Sequence, residues 1–171
     1  MISIIKYIFG ALVLIFAQVL IFSRIEVNYA VYLMIYPLFL LVLPFRMPLA
    51  QILLLSFVIG LAIDNFMNTF GLHASSLVFA AYLRPFIFKI IAPNEEYVRG
   101  NNSEKYTSSL RFLFIAFLLL LAHHTWYLTL ESFDLGEYLF LLIRIALSTV
   151  ISTLVTFIIF LLFLAKNKVE K

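Results

Sequence analysis

The chain is divided into six apolar stretches, residues 4–22, 29–45, 49–63, 73–92, 112–129 and 138–165, each bounded by charged or turn-forming residues. A helix needs about 20 residues to cross a hydrocarbon core, within a range near 17–25, so this pattern predicts a bundle of membrane-spanning helices. The third stretch reaches that length by including Asp64 to Met67, and the sixth is long enough to tilt. The predicted spans are therefore about 4–22, 29–45, 49–67, 73–92, 112–129 and 138–165, forming one six-helix domain over residues 1–171. Strands are excluded as the spanning element. The stretches lack a barrel's alternation of polar and apolar residues, and an open sheet cannot cross lipid with unpaired edges.

Composition agrees. Of 171 residues, 64% are hydrophobic and 12% charged, with a mean hydropathy of +1.09, against roughly 45–50% apolar and about 25% charged in soluble domains. That rules out a water-soluble globule and leaves no length for a separate catalytic module. With no cysteine, the chain has no disulfide, thiolate metal site or cysteine nucleophile. The first stretch follows Lys6 as a signal peptide would, yet Phe22-Ser23-Arg24 offers no small-residue cleavage site, so it is read as an uncleaved first helix.

Basic residues set the expected orientation. With the amino terminus in the cytoplasm, six crossings place Lys6, Arg46, Lys89, Arg99, Lys105, Arg111, Lys166, Lys168 and Lys171 inside and Arg24 alone outside. Glu26, Glu131, Asp134 and Glu137 collect on the outer side. Both termini are then cytoplasmic, and residues 93–111 form a cytoplasmic loop whose Gly100-Asn101-Asn102 is turn chemistry. His123, His124, Trp126 and Tyr127 read as an interfacial aromatic belt near the outer end of the fifth helix.

Besides Lys6 and Lys89 at the cytoplasmic ends, three charged side chains fall inside predicted spans: Asp64, Arg84 and Arg144. Each costs a few kcal/mol if it faces lipid unpaired, so each is expected to face the bundle interior. Helical rise places Asp64 roughly 6 Å and Arg144 ~10 Å below the outer boundary, which makes them the expected ion pair. Arg84, ~16 Å below His73, is the second candidate for Asp64, and a kink at Pro85 would free a carbonyl for its guanidinium. The reading that fits a single intramembrane acid is a structural pair rather than a transport path. His73, Ser76, Ala80 and Arg84 share one face of the fourth helix, and Arg144, Ser148 and Ser152 one of the sixth. Gly60 lies one turn below Asp64. Such small and hydroxylated faces suit packing between membrane helices, within the chain or with a partner.

The sequence carries no phosphate loop, zinc-binding helix, Gly-x-Ser-x-Gly elbow or basic, aromatic nucleic-acid surface. No enzymatic activity, cofactor, metal or nucleic acid is expected.

The run Gly60-Leu-Ala-Ile-Asp64, followed by Gly71-Leu72-His73-Ala74 and Phe79-Ala-Ala-Tyr-Leu-Arg84-Pro85-Phe86, resembles the central signature of the rod shape-determining MreD family, in its Bacteroidetes-type form. The likeness extends over nearly the whole chain: a short amino-terminal tail, five or six spans, a Gly-x-x-x-Asp step ending the third and Gly-Leu-His opening the fourth. It implies a multi-pass component of the bacterial inner membrane that binds MreC, a single-span protein, alongside MreB, RodA and its transpeptidase, in lateral peptidoglycan synthesis. It also implies a fold similar to the six-helix substrate-binding subunits of energy-coupling-factor transporters. The site residues expected on this basis are Gly60, Asp64, Gly71, Leu72, His73 and Arg84, with Arg144, Ser148 and Ser152 added from their helical faces. The alternative is a vitamin-binding transporter subunit. Such subunits carry an Ala-x-x-x-Ala docking patch on the first helix, a spacing that Ala11 and Ala17 do not have.

Overall fold

The computed structural model describes residues 2–24, 31–44, 47–91, 109–132 and 137–169. Among them every regular element is helical, and four helices are long and apolar enough to cross a membrane. Helix α1 spans Ile2–Leu20 and ends in a 3-10 turn, Phe22–Arg24, where the Ser23 hydroxyl donates to the Val19 carbonyl at 2.5 Å. A five-residue helix, α2, covers Leu38–Val42. Four long helices follow: α3 (Leu49–Met67), α4 (Leu72–Ile91), α5 (Ser109–Ser132) and α6 (Tyr138–Val169).

The last four helices pack in sequence order, and α1 lies against α3. Phe112 stacks on Phe160 and Ser152 approaches His124, so α5 and α6 are antiparallel. The rings of Phe16 and Phe66 meet at 6.5 Å near the carboxyl ends of α1 and α3, so those two helices run in the same direction. The connection between them has to return through the bundle.

That return is where the sequence reading is corrected. A helix was expected over 29–45. Residues Val31 to Ile35 are instead extended, followed by a turn at Tyr36-Pro37 and then α2. Pro37 is the local reason: it has no N–H to donate to the Leu33 carbonyl, which accepts from Gln18 instead, so a helix begins more readily at Pro37 than it runs through it. An extended chain also advances about 3.3 Å per residue against 1.5 Å in a helix, which lets a short stretch cover the distance. The segment forms the centre of the molecule: every residue from Leu33 to Leu41 is buried, with Tyr36 and Leu40 fully so.

The long helices match their predicted spans within a few residues, except that α5 begins at Ser109 and ends at Ser132. Residues 109–111, expected in the hydrophilic loop, are thus helical. The rest of that loop, 93–108, lies outside the described residues, as do Arg24's side chain and most of the charges used to set orientation. Leu54, Phe57, Leu139, Leu154 and Leu162 point outward from α3 and α6. The outward faces of α3 and α6 thus carry large apolar side chains, which suits helices long and apolar enough to cross a membrane.

Candidate functional site

Extended backbone inside an apolar bundle is tolerated only when its polar groups are satisfied by the surrounding protein. Three side chains do this for residues 31–35. From α1, the Gln18 carboxamide accepts from the Ile35 N–H at 2.8 Å and donates to the Leu33 carbonyl at 3.0 Å, as a neighbouring strand's backbone would. From α6, Ser148 accepts the Tyr32 N–H and Ser152 the Met34 N–H, each at 3.0 Å. The spacings match. Four helical residues rise about 6 Å and two extended residues about 6.6 Å, so hydroxyls at i and i+4 meet alternate N–H groups.

The lower end of this segment is held by Arg84. Its Nε donates to the Leu40 carbonyl and one Nη to the Leu43 carbonyl, both at 2.8 Å, with the Pro44 carbonyl at 3.4 Å. These are the carbonyls at the end of α2, where a helix leaves acceptors unpaired. The guanidinium was expected to bind a carbonyl freed by Pro85 in its own helix. Pro85 does lie inside α4, but the acceptors found belong to the segment opposite. The Arg84 guanidinium also sits 5.0 Å from the Phe88 ring centroid.

Asp64 and Arg144 do not pair. The Asp64 carboxylate accepts the N–H groups of His73 at 3.0 Å and Ala74 at 2.9 Å, and the Thr69 hydroxyl at 2.5 Å. It is therefore the cap of α4, supplied by the preceding helix, and its charge faces the positive end of the α4 dipole. The His73 ring completes the group, with Nδ1 at 2.9 Å from Thr69 Oγ1 and 3.3 Å from the carboxylate. Since the Thr69 proton goes to Asp64, Nδ1–H is the donor to Thr69. Arg144 is paired with Glu131 at 2.8 Å and reaches Ser132 at 3.3 Å. Depth alone had suggested Asp64. The extra residues at the end of α5 carry Glu131 to the second turn of α6, where Arg144 lies. Glu131 also accepts the Tyr32 hydroxyl at 2.8 Å, tying this pair to the start of the extended segment.

Gly60 and Gly71 serve the same junction. A Cβ at Gly60 would lie 2.3 Å from Ala74 Cα and 2.9 Å from the His73 carbonyl oxygen, so α3 and α4 touch there backbone to backbone. Gly71, at φ +91, provides a turn that L-residues rarely adopt. Leu72 is the first residue of α4 and donates its N–H to the Thr69 carbonyl at 3.1 Å.

The expected aromatic belt on α5 is mostly interior. His123, His124 and Tyr127 are buried, while Trp126 is partly exposed and stacks on Phe79 at 4.3 Å. His123 Nε2 lies between the Tyr36 hydroxyl and Ser76 Oγ, the latter at 3.0 Å. His124 donates through Nδ1 to the Leu120 carbonyl at 2.7 Å and turns Nε2 toward Ser152 at 3.4 Å. Both hydroxyl–imidazole pairs have the composition of a nucleophile and its base. Their hydroxyls are nonetheless engaged with backbone: Ser76 donates to the Leu72 carbonyl at 2.7 Å, and Ser152 accepts from Met34. All four side chains are fully buried. Among the described residues, no cluster of three or more His, Asp and Glu is placed to hold a metal ion.

Of the residues singled out from sequence, Gly60, Asp64, Gly71, Leu72 and His73 form one junction. Ser148, Ser152 and Arg84 hold the central segment at its two ends, and Arg144 belongs to the Glu131 pair. Gln18 and Glu131 were missed. Gln18 is the sole carboxamide in the first apolar stretch, and that isolation was a usable signal. No family model matches this chain, and no curated protein or solved structure is similar to it.

Proposed function

We propose that this chain is a non-enzymatic scaffold of the bacterial inner membrane, an MreD-like six-span protein with cytoplasmic termini. In this reading it holds the transmembrane helix of MreC and so joins it to MreB, RodA and the transpeptidase of lateral wall synthesis. The reading rests on the signature residues 60–64 and 71–74. One observation carries it on physical grounds: Asp64, Arg84 and Arg144, the groups most costly to embed, all have partners within the chain. Charges used in this way fix helix register and shape, which is what a scaffold must present to a partner. The similarity to energy-coupling-factor substrate-binding subunits stays part of this proposal as an architectural precedent.

The test is capture. Affinity-tagged protein, co-expressed with MreC and extracted in mild detergent, should retain MreC through size-exclusion chromatography, and MreC truncated before its transmembrane helix should be lost. A monodisperse preparation that leaves MreC behind and binds a vitamin tightly would contradict the scaffold and favour the transporter-subunit alternative.

A further inference from the structure

The turn joining α3 to α4 contains three residues with left-handed backbone: Asn68 at φ 55, Phe70 at φ 50 and Gly71 at φ 91. Asn and Gly adopt this conformation readily, whereas a bulky aromatic residue does so at a steric cost. The turn is held from several sides. The Asn68 and Thr69 N–H groups both donate to the Asp64 carbonyl, Leu72 N–H donates to the Thr69 carbonyl, and the Thr69 hydroxyl donates to the Asp64 carboxylate. Phe70 therefore cannot relax without disturbing the α4 cap. Its side chain is fully exposed, and among the described residues it packs on nothing. A strained backbone and an exposed ring at one position are two costs with no return inside the protein.

We propose that Phe70 is a bilayer-boundary anchor, a ring held outward by the Asp64 turn so that it enters the lipid layer between headgroups and acyl chains. Position supports this occupant. Helix α3 has 19 residues, about 28 Å of rise against a core of about 30 Å, so the turn that follows it lies at the edge of the hydrocarbon. The surroundings have the mixed character of that zone. Asn65 and Asn68 are exposed beside Phe66, and the apolar flank continues onto α1 through Phe16 and Leu20. A single ring is small beside the roughly 1,000 Å² that a specific protein interface buries, whereas a lipid boundary needs no complementary surface. The anchor fixes the height of the α3–α4 turn, and through Asp64 that of the junction below it. The inference depends on the chain being embedded in a membrane and does not depend on MreC, so failed capture of MreC leaves it standing.

The test replaces Trp126 with Phe, which preserves an aromatic ring against Phe79, and introduces Phe70→Trp as the single tryptophan, excited selectively over the tyrosines. The protein is reconstituted in phosphatidylcholine vesicles brominated near the glycerol or near the chain terminus. Blue-shifted emission quenched more by the shallow bromines is expected. Three results overturn the proposal: emission as in water, blue-shifted emission that neither lipid quenches, or stronger quenching by the deep bromines. A second variant, Phe70→Asn, removes strain and ring together. Its thermal midpoint in vesicles should fall, and an unchanged or raised midpoint overturns the anchor.

Discussion

Asp64→Ala is expected to destabilise the protein by ~3 kcal/mol, from the loss of three hydrogen bonds to a buried carboxylate at about 1 kcal/mol each. The cost has a structural address. The His73 and Ala74 N–H groups at the start of α4, both on buried residues, lose their acceptor, and Thr69 loses the contact that folds the turn back on α3. Asp64→Asn should fall between the two. Its amide oxygen can still accept a backbone N–H, but its NH₂, itself a donor, would face a donor where the second carboxylate oxygen accepts. The decisive comparison is with Arg144→Ala. Because Asp64 and Arg144 occupy different clusters, a double-mutant cycle read by reversible unfolding in micelles should give additive losses, whereas a directly paired acid and base would show strong coupling. Glu131 and Arg144 should show that coupling, since removing one strands the other.

Gly60→Ala is the second large effect, and it works through the same junction. The added methyl would lie 2.3 Å from Ala74 Cα and 2.7 Å from Ala74 N. Those are backbone atoms, so no side-chain rotation relieves the clash and the helices have to separate. Overpacking of this kind costs about 1–3 kcal/mol. Here the separation also pulls the Ala74 N–H away from Asp64, one turn above Gly60 on the same helix. Gly60→Ala should therefore cost ~3 kcal/mol, and somewhat less when Asp64 is already alanine, because the cap is then gone while the backbone clash with Ala74 remains. Ordinary helix propensity predicts the opposite sign, a gain from replacing a helical glycine, so unfolding midpoints separate the two accounts directly.

The residues of the Gly60–Asp64–His73 junction stood out because they are close in sequence and glycine has narrow uses, close contact at Gly60 and a left-handed turn at Gly71, but the role of Asp64 did not: it was expected to pair with Arg144 and instead caps α4. The long helices were legible for a similar reason, since apolar length is a property of each stretch alone. What the sequence did not show was how distant stretches meet. The partner of Arg144 depends on whether α5 stops at Thr129 or continues to Ser132, and helix ends are set by tertiary contacts as much as by local composition. The second stretch looked helical because apolarity does not distinguish a buried helix from a buried extended chain. Pro37 in its middle was the local sign, and Gln18, Ser148 and Ser152 were the remote ones. They become a set only when α1 and α6 are known to flank residues 31–35.

That broken central segment is the feature that Gln18, Ser148, Ser152 and Arg84 all bind, and the chain's lack of cysteine makes it directly testable. Two double variants, Tyr32→Cys with Ser148→Cys and Met34→Cys with Ser152→Cys, would be treated in native membranes with a short bifunctional thiol reagent. Alternate residues of an extended chain project to the same side, so both pairs should bridge. In a continuous helix over 29–45, positions 32 and 34 point about 200° apart, and bridging confined to one pair would contradict the account.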